Sequence, residues 1–271
     1  MSHPIPLTDP LSIAWIDWCR NEHVPPNTIS RRIATLRSLG NAGTATREDV
    51  EAWWAGRTNL APASRANDLA GIRSFLKWCR RWEHRSDDPT LRIDPPHVPA
   101  GLPHPMAKHD LQLALDTFPA DLRRAVCMGA YAGLRISEAA ALDWAQLDVE
   151  ARTLRVLHGK GHAGGKERLI AISPVLIDQL LPDVGGNVVS AGHQPYSSAS
   201  LQRRINRAFE RAGIHGTSHG LRHRYGTMAY QATGDLLAVG RMMGHQSPVT
   251  TAIYADPSND IAVKIAAAVV R

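Results

Sequence analysis

The sequence predicts a mainly α-helical N-terminal domain followed by an α+β domain in which helices surround a small antiparallel sheet. Three observations carry this. Apolar residues recur at spacings of three and four from residue 8 to about residue 82, the period of amphipathic helices. Six prolines (Pro89, Pro95, Pro96, Pro99, Pro103 and Pro105) then fall within residues 83–105, where lost amide donors and fixed φ angles favour an extended connector. Beyond it, two β-branched and apolar stretches, 153–157 and 168–172, flank a loop rich in glycine and lysine, the pattern of a hairpin set among helices. The expected organisation is a helical domain over 1–84, a linker over 85–105 and a second domain over 106–271.

Each element has a local reason. Asp9-Pro10 opens a first helix through Trp15 and Trp18, because proline is tolerated at the first helical position and aspartate caps free amides. Asn27 or Thr28 opens a second, with Ile29, Ile33, Leu36 and Leu39 on one face and Gly40 as its stop. Thr46 and Asp49 form a capping-box pattern ahead of Val50, Trp53 and Trp54. A fourth helix, about 63–82, buries Leu69, Ile72, Phe75, Leu76 and Cys79 and presents Arg73, Lys77, Arg80 and Arg81 on its other face. These cations are a solvated face or a surface for an anionic partner. In the second domain helices are expected near 107–117, near 120–133 and from Ile136, then the hairpin, then four or five more helices.

Composition narrows the class. The 271 residues hold 31 Lys+Arg against 25 Asp+Glu, a formal charge of +6, and the pI is about 9.5. Residues 1–105 carry 13 cations and 11 anions, the rest 18 and 14, so charge does not separate the domains and a nucleic-acid surface would draw on both. With 44% hydrophobic residues the chain can bury a core. No uncharged apolar run approaches the roughly 20 residues that span a bilayer, and the N-terminus has no secretory pattern, so a cytoplasmic protein is expected. Cys19, Cys79 and Cys127 are far apart and odd in number, which fits reduced structural thiols.

The polar residues gain meaning in sequence order: Arg135 in AGLRISEAAAL, Lys160 in HGKGHAGGKE, His219 and Arg222 in HGLRH, His245 in MMGH, and Tyr254 in TTAIYA. The gaps are 25 residues from Arg135 to Lys160, 23 from Arg222 to His245 and nine from His245 to Tyr254. From about Met106 to Tyr254 this series resembles the catalytic boxes of the tyrosine recombinase, or phage integrase, family. Two guanidiniums can grip the nonbridging oxygens of a phosphodiester with paired N–H donors at any working pH. A tyrosine with an ordinary pKa of about 10 needs a cationic pocket and a base to act as a nucleophile near neutrality.

The resemblance implies the rest. Tyr254 is the nucleophile, attaching to the 3′ phosphate and freeing a 5′ hydroxyl. Arg135 and Arg222 hold the phosphate, His219 serves as base or phosphate donor, and His245 is a second donor. Lys160 is the general acid, with Lys166 as the alternative, and Glu138 is an accessory brace. No cofactor or metal is expected, since one phosphoester is exchanged for another. His219 and His223 lack a third ligand at zinc spacing, and the glycine loop lacks the Walker pattern. Arg203, Arg204, Arg207 and Arg211 form a further basic ridge, three of them (203, 207 and 211) at i, i+4 and i+8 in one helical stripe, either solvated or laid along a phosphate backbone.

The implied whole is a two-domain clamp on double-stranded DNA at core-type recombination sites, without an arm-binding domain. The chain would be a monomer or weak oligomer free in solution and a homotetramer on two duplexes, linked by exchange of the apolar tail 260–270, with accessory DNA-bending proteins possible and no membrane. A mobile-element integrase is the main expectation. A chromosome-dimer resolvase of the Xer type, a type IB topoisomerase and a non-catalytic DNA-binding protein are the alternatives.

Overall fold

The computed structural model describes residues 7–99, 104–157, 167–180, 186–190 and 194–245. The chain divides into two units, Met1–Ala100 and Gly101–Arg271.

The first unit is built from α1 (Pro10–Asn21), α2 (Pro26–Leu39), α3 (Arg47–Ala55) and α4 (Pro62–Arg81). Asp9 caps α1 by accepting from the Ser12 amide at 3.0 Å, and it also accepts from the Gly43 amide at 3.0 Å. One carboxylate thereby fixes both the start of α1 and the turn before α3. The capping box of α3 is complete, with Thr46 Oγ1 accepting from the Asp49 amide at 3.2 Å and Asp49 Oδ2 accepting from the Thr46 amide at 2.9 Å. The second helix begins at Pro26 with no side-chain cap, slightly ahead of the expected Asn27 or Thr28. Proline at the first helical position removes the need for one cap. The apolar faces meet in one core of Trp15, Leu36, Val50, Leu69, Ile72, Phe75 and Leu76, where Trp15 and Phe75 pack with ring centroids 5.4 Å apart.

The segment after α4 does not leave this unit at once. Arg85 donates to the carbonyls of Ala42, Gly43 and Ala45, Arg73 donates to the carbonyls of Thr90 and Ile93, and Ile93 lies in the core. The expected connector therefore starts as a strap packed on the helices.

In the second unit come α5 (Lys108–Thr117), α6 (Ala120–Ala132) and α7 (Ile136–Ala141). A single 3₁₀ turn at Trp144–Gln146 leads into β1 (Leu147–Asp148), β2 (Thr153–Val156) and β3 (Arg168–Ala171), an antiparallel sheet in that order. The register pairs Leu154 with Ile170 and Val156 with Arg168. Then follow α8 (Pro174–Leu180), α9 (Ser198–Arg211), α10 (Ser218–Thr233) and α11 (Leu236–Met243). Helix α6 is almost wholly buried and is the hub, packed against α5, α7, α8, α9 and α10. Its last two turns, from Ala125 to Ala132, carry no charged residue, which suits a core element.

The three cysteines are buried free thiols. Burial pushes Cys79 up to about 11 and Cys127 up to about 12, so they remain protonated and unreactive at neutral pH. Among the described residues no helix is long and apolar enough to cross a membrane.

Candidate active site

The site is assembled where the end of α6, the start of α7, strand β3, the first turn of α10 and the end of α11 converge. Helix α6 stops at Gly133, whose φ of +63° is left-handed and suits glycine. A Cβ there would come within 2.5 Å of the Tyr225 ring. This turn presents the Gly133 carbonyl to Arg222, which donates to it through Nη1, and points the chain into Arg135 at the head of α7.

Glu138, one turn into α7, is the centre of the cluster. Its Oε2 accepts from the Arg135 amide at 2.8 Å and its Oε1 from Arg135 Nη1 at 2.9 Å. Arg168, the first residue of β3, adds a bidentate pair, Nη1 to Oε1 at 3.0 Å and Nη2 to Oε2 at 2.8 Å. Arg222 Nη1 stands 4.0 Å from Oε2. The Glu138 side chain is 1% exposed. Burial pushes its carboxyl up, but the hydrogen bonds from Arg168 and Arg135 and their charges outweigh that and hold it below its ordinary value. It is therefore ionised at neutral pH, the condition for three guanidiniums to gather around it.

The other side of the cluster is the turn closing α11. The carbonyls of Met242, Met243 and Gly244 accept in succession from Arg168 Nε at 3.0 Å, Arg222 Nη2 at 2.6 Å and Arg135 Nη2 at 2.8 Å. Three adjacent carbonyls thus receive three arginines. Gly244 is left-handed at φ +67°, and a Cβ there would lie 2.9 Å from Arg168 Nη1, so glycine alone lets the turn approach so closely. The next residue is His245, delivered beside the cluster.

His219 is the second residue of α10, after Thr217 has capped the helix by accepting from the Gly220 amide at 3.0 Å. A helix N-terminus favours anions. His219 is exposed at the surface. Partial burial of its ring, then the charges of Arg222 and Arg135, lower its pKa. Burial, then Arg222, Arg135, His219 and Arg168, bring His245 down to about 4. His223 packs edge-on to His219 with ring centroids 4.3 Å apart, and burial, His219, Arg222 and His104 bring it to about 4. The three imidazoles are consequently held in the neutral form at pH 7.

The structure thus brings together Arg135, Glu138, His219, Arg222 and His245. Arg222 is 2% exposed at its side chain and Arg135 is 24% exposed, so Arg135 offers the more open face. Lys160, its alternative Lys166, and Tyr254 lie outside the described residues. Arg168 was not anticipated. Its signal was available: it shares the inward face of β3 with buried Ile170, and an inward arginine on a strand requires a buried acid. Among the described residues no group of three potential metal ligands occurs.

The remaining cations divide. Lys77, Arg80 and Arg81 are exposed in the last turns of α4, with Arg80 3.7 Å from Asp88. Arg73 instead holds the strap described above. Arg203, Arg204, Arg207 and Arg211 are exposed on α9, opposite buried Leu201, Ile205 and Phe209. Arg204 is tied to Asp121 at 3.0 Å and stacks over Tyr196.

Comparison with known proteins identifies the family. Residues 107–260 match the model of the phage integrase family. Tyrosine recombinase XerD of Xanthomonas axonopodis pv. citri (strain 306) is 34% identical over 230 residues, 74% of this chain and 74% of its own. Tyrosine recombinase XerC of Actinobacillus pleuropneumoniae serotype 7 (strain AP76) is 28% identical over 258 residues, 86% and 83% of the two chains. A lambda integrase dimer bound to a COC′ core site shares the fold, with a TM-score of 0.72 at 15% identity over 91% of this chain and 76% of that one. With a family match over more than half its length and a relative of this similarity, the chain belongs to the phage integrase family and is a tyrosine-type site-specific recombinase.

Proposed function

We propose that the chain breaks and rejoins duplex DNA through a covalent 3′-phosphotyrosyl intermediate, integrating or excising a mobile DNA element. The observation that supports this most is the meeting of separate segments in one cluster: Arg135 binds buried Glu138 at 2.9 Å, Arg222 stands 4.0 Å from it, and His219 and His245 lie close enough to feel the charge of both guanidiniums. A pocket rich in fixed cations and neutral imidazoles suits a reaction that builds negative charge at phosphorus.

In this reading the Tyr254 hydroxyl attacks the scissile phosphorus and yields its proton to His219, whose lowered pKa keeps it unprotonated beforehand. Arg135 and Arg222 hold the nonbridging oxygens, already oriented by Glu138 and by the carbonyls of Gly133, Met243 and Gly244. His245 donates a further hydrogen bond to the phosphate. The P–O5′ bond breaks, its electron pair stays on the 5′ oxygen, and Lys160 supplies the proton. Rejoining reverses these steps with a 5′ hydroxyl from the second duplex. One phosphoester replaces another, so the exchange requires no nucleotide hydrolysis.

The first unit and the second, taken as helical DNA-binding and catalytic domains, contribute separate surfaces. Lys77, Arg80 and Arg81 on one, and Arg203, Arg204, Arg207 and Arg211 on the other, contact phosphates and set position along the duplex. The working assembly is a homotetramer on two duplexes in the cytoplasm, joined through the residues after Pro257.

A second reading, resolution of chromosome dimers, is favoured by the sequence similarity to XerD and XerC. Sequencing the junctions formed in cells separates the two: junctions at element ends support integration or excision, and junctions confined to one chromosomal locus support resolution. The common chemistry is tested with a nicked duplex whose binding site is first selected from randomised duplexes by the protein itself. A covalent protein–DNA adduct that disappears in Tyr254→Phe is expected, and an adduct undiminished in that variant overturns the assignment.

A further inference from the structure

Arg168 has no part in the reaction just described, yet it is the arginine most fully engaged with Glu138. Its side chain is 10% exposed. Both terminal nitrogens meet both carboxylate oxygens, at 3.0 and 2.8 Å, the paired geometry a guanidinium forms and an ammonium cannot. Its Nε donates to the Met242 carbonyl at 3.0 Å. The neighbouring carbonyls of Met243 and Gly244 receive Arg222 and Arg135, and the chain then reaches His245. Arg168 therefore touches the carboxylate that orients Arg135 and also the turn that fixes Arg222, Arg135 and His245. It sits eight residues after Lys160 in the sequence.

We propose that Arg168 is a positioning residue for strand cleavage: by clamping Glu138 and the Met242 carbonyl together, it sets Arg135 and His245 where they meet the scissile phosphate, without touching that phosphate itself. The clamp closes over the left-handed Gly244, which leaves the space it occupies. A misplacement of about 1 Å among groups that hold a reacting centre costs on the order of 10²-fold in rate. Binding of DNA as a whole depends on many phosphate contacts and should change little. This inference rests on the chain acting as a DNA-cleaving recombinase.

The test uses the full chain and the nicked, self-selected duplex. For wild type, Arg168→Met, Arg168→Lys, Glu138→Gln and the double variant Glu138→Gln/Arg168→Met, three quantities are measured below the unfolding temperature: affinity for the duplex, single-turnover rate of adduct formation, and thermal midpoint. Arg168→Met should slow adduct formation at least about tenfold with affinity within about threefold of wild type. Arg168→Lys should fall between them, keeping the charge without the fork. Because the arginine acts through Glu138, adding Arg168→Met to Glu138→Gln should slow the reaction by less than about threefold further. The inference is overturned if Arg168→Met cleaves at the wild-type rate, if rate and affinity fall together by the same factor, or if the two substitutions are fully additive. Should Arg168→Met not fold, Arg168→Lys decides: slow cleavage at unchanged affinity supports the role, and a wild-type rate refutes it. A wild type that forms no adduct counts against the functional reading, whereas a wild type that does, beside an unaffected Arg168 variant, removes this inference alone.

Discussion

Replacing Glu138 by glutamine tests whether one buried carboxylate holds the site together. The native carboxylate accepts four hydrogen bonds, from the Arg135 amide, Arg135 Nη1, and Arg168 Nη1 and Nη2, with Arg222 4.0 Å away. Glutamine keeps one acceptor oxygen and turns an NH₂ group towards donors, while the charge that draws three guanidiniums together is lost. Removing one partner of a buried ion pair costs about 3–5 kcal/mol because the other charge is left uncompensated. For a unit of this size, each kcal/mol lowers the unfolding midpoint by roughly 2–4 °C, so Tm should fall by about 6–20 °C. Thermal unfolding of the full chain at pH 7, followed by circular dichroism and calorimetry, measures this. A loss below about 1 kcal/mol, the size expected of an exposed pair, would show that the cluster does not depend on Glu138.

Other consequences follow from the same geometry. Below pH 7 stability should decline before the carboxylates titrate. His223 and His245 sit near 4 in the folded chain, so the unfolded chain, with imidazoles near 6.5, binds more protons between about pH 6.5 and 4 and stability falls as pH drops through that window. Discounted for partial exposure, the two together should contribute about 1–3 kcal/mol; urea unfolding from pH 7.5 to 5 reads it, and a slope unchanged in His223→Gln would contradict the assignment. Gly133→Ala should destabilise by about 2–4 kcal/mol through its left-handed φ and the clash with Tyr225, and a loss under about 0.5 kcal/mol in the same assay would count against the crowding described. In the first unit, Thr46→Ala should cost about 1 kcal/mol by removing the α3 cap, with Ser in its place restoring most of it; equal stability of the alanine and serine variants would refute the capping argument.

Much of the architecture was legible because it rests on local chemistry. Asp9 and Thr46 announce helix starts through their side chains, and the apolar spacing of Leu69, Ile72, Phe75 and Leu76 places one face of α4 in a core. Strand β1 was not anticipated: Leu147–Asp148 is only two residues long with no β-branched character, and pairing with β2 alone makes it a strand. Helical periodicity put Arg73 on the polar face of α4, but periodicity carries no information about the strap that returns over it to offer the Thr90 and Ile93 carbonyls. The motif residues from Arg135 to His245 could be picked out by type and order. What the sequence concealed was the partner of Arg168, which lies 30 residues earlier in the chain, and the depth at which Arg222 is buried, both products of tertiary packing.

The central claim is that Tyr254 carries the DNA strand through its 3′ phosphate. The most direct measurement is mass spectrometry of the adduct trapped on the nicked, self-selected duplex, digested with nuclease and trypsin, together with end-labelling of the released strand. A peptide containing Tyr254 that carries a nucleotide joined through its 3′ phosphate, beside a released strand ending in a free 5′ hydroxyl, is the predicted result. A nucleotide on any other residue, or a released strand that keeps its 5′ phosphate, would contradict the account.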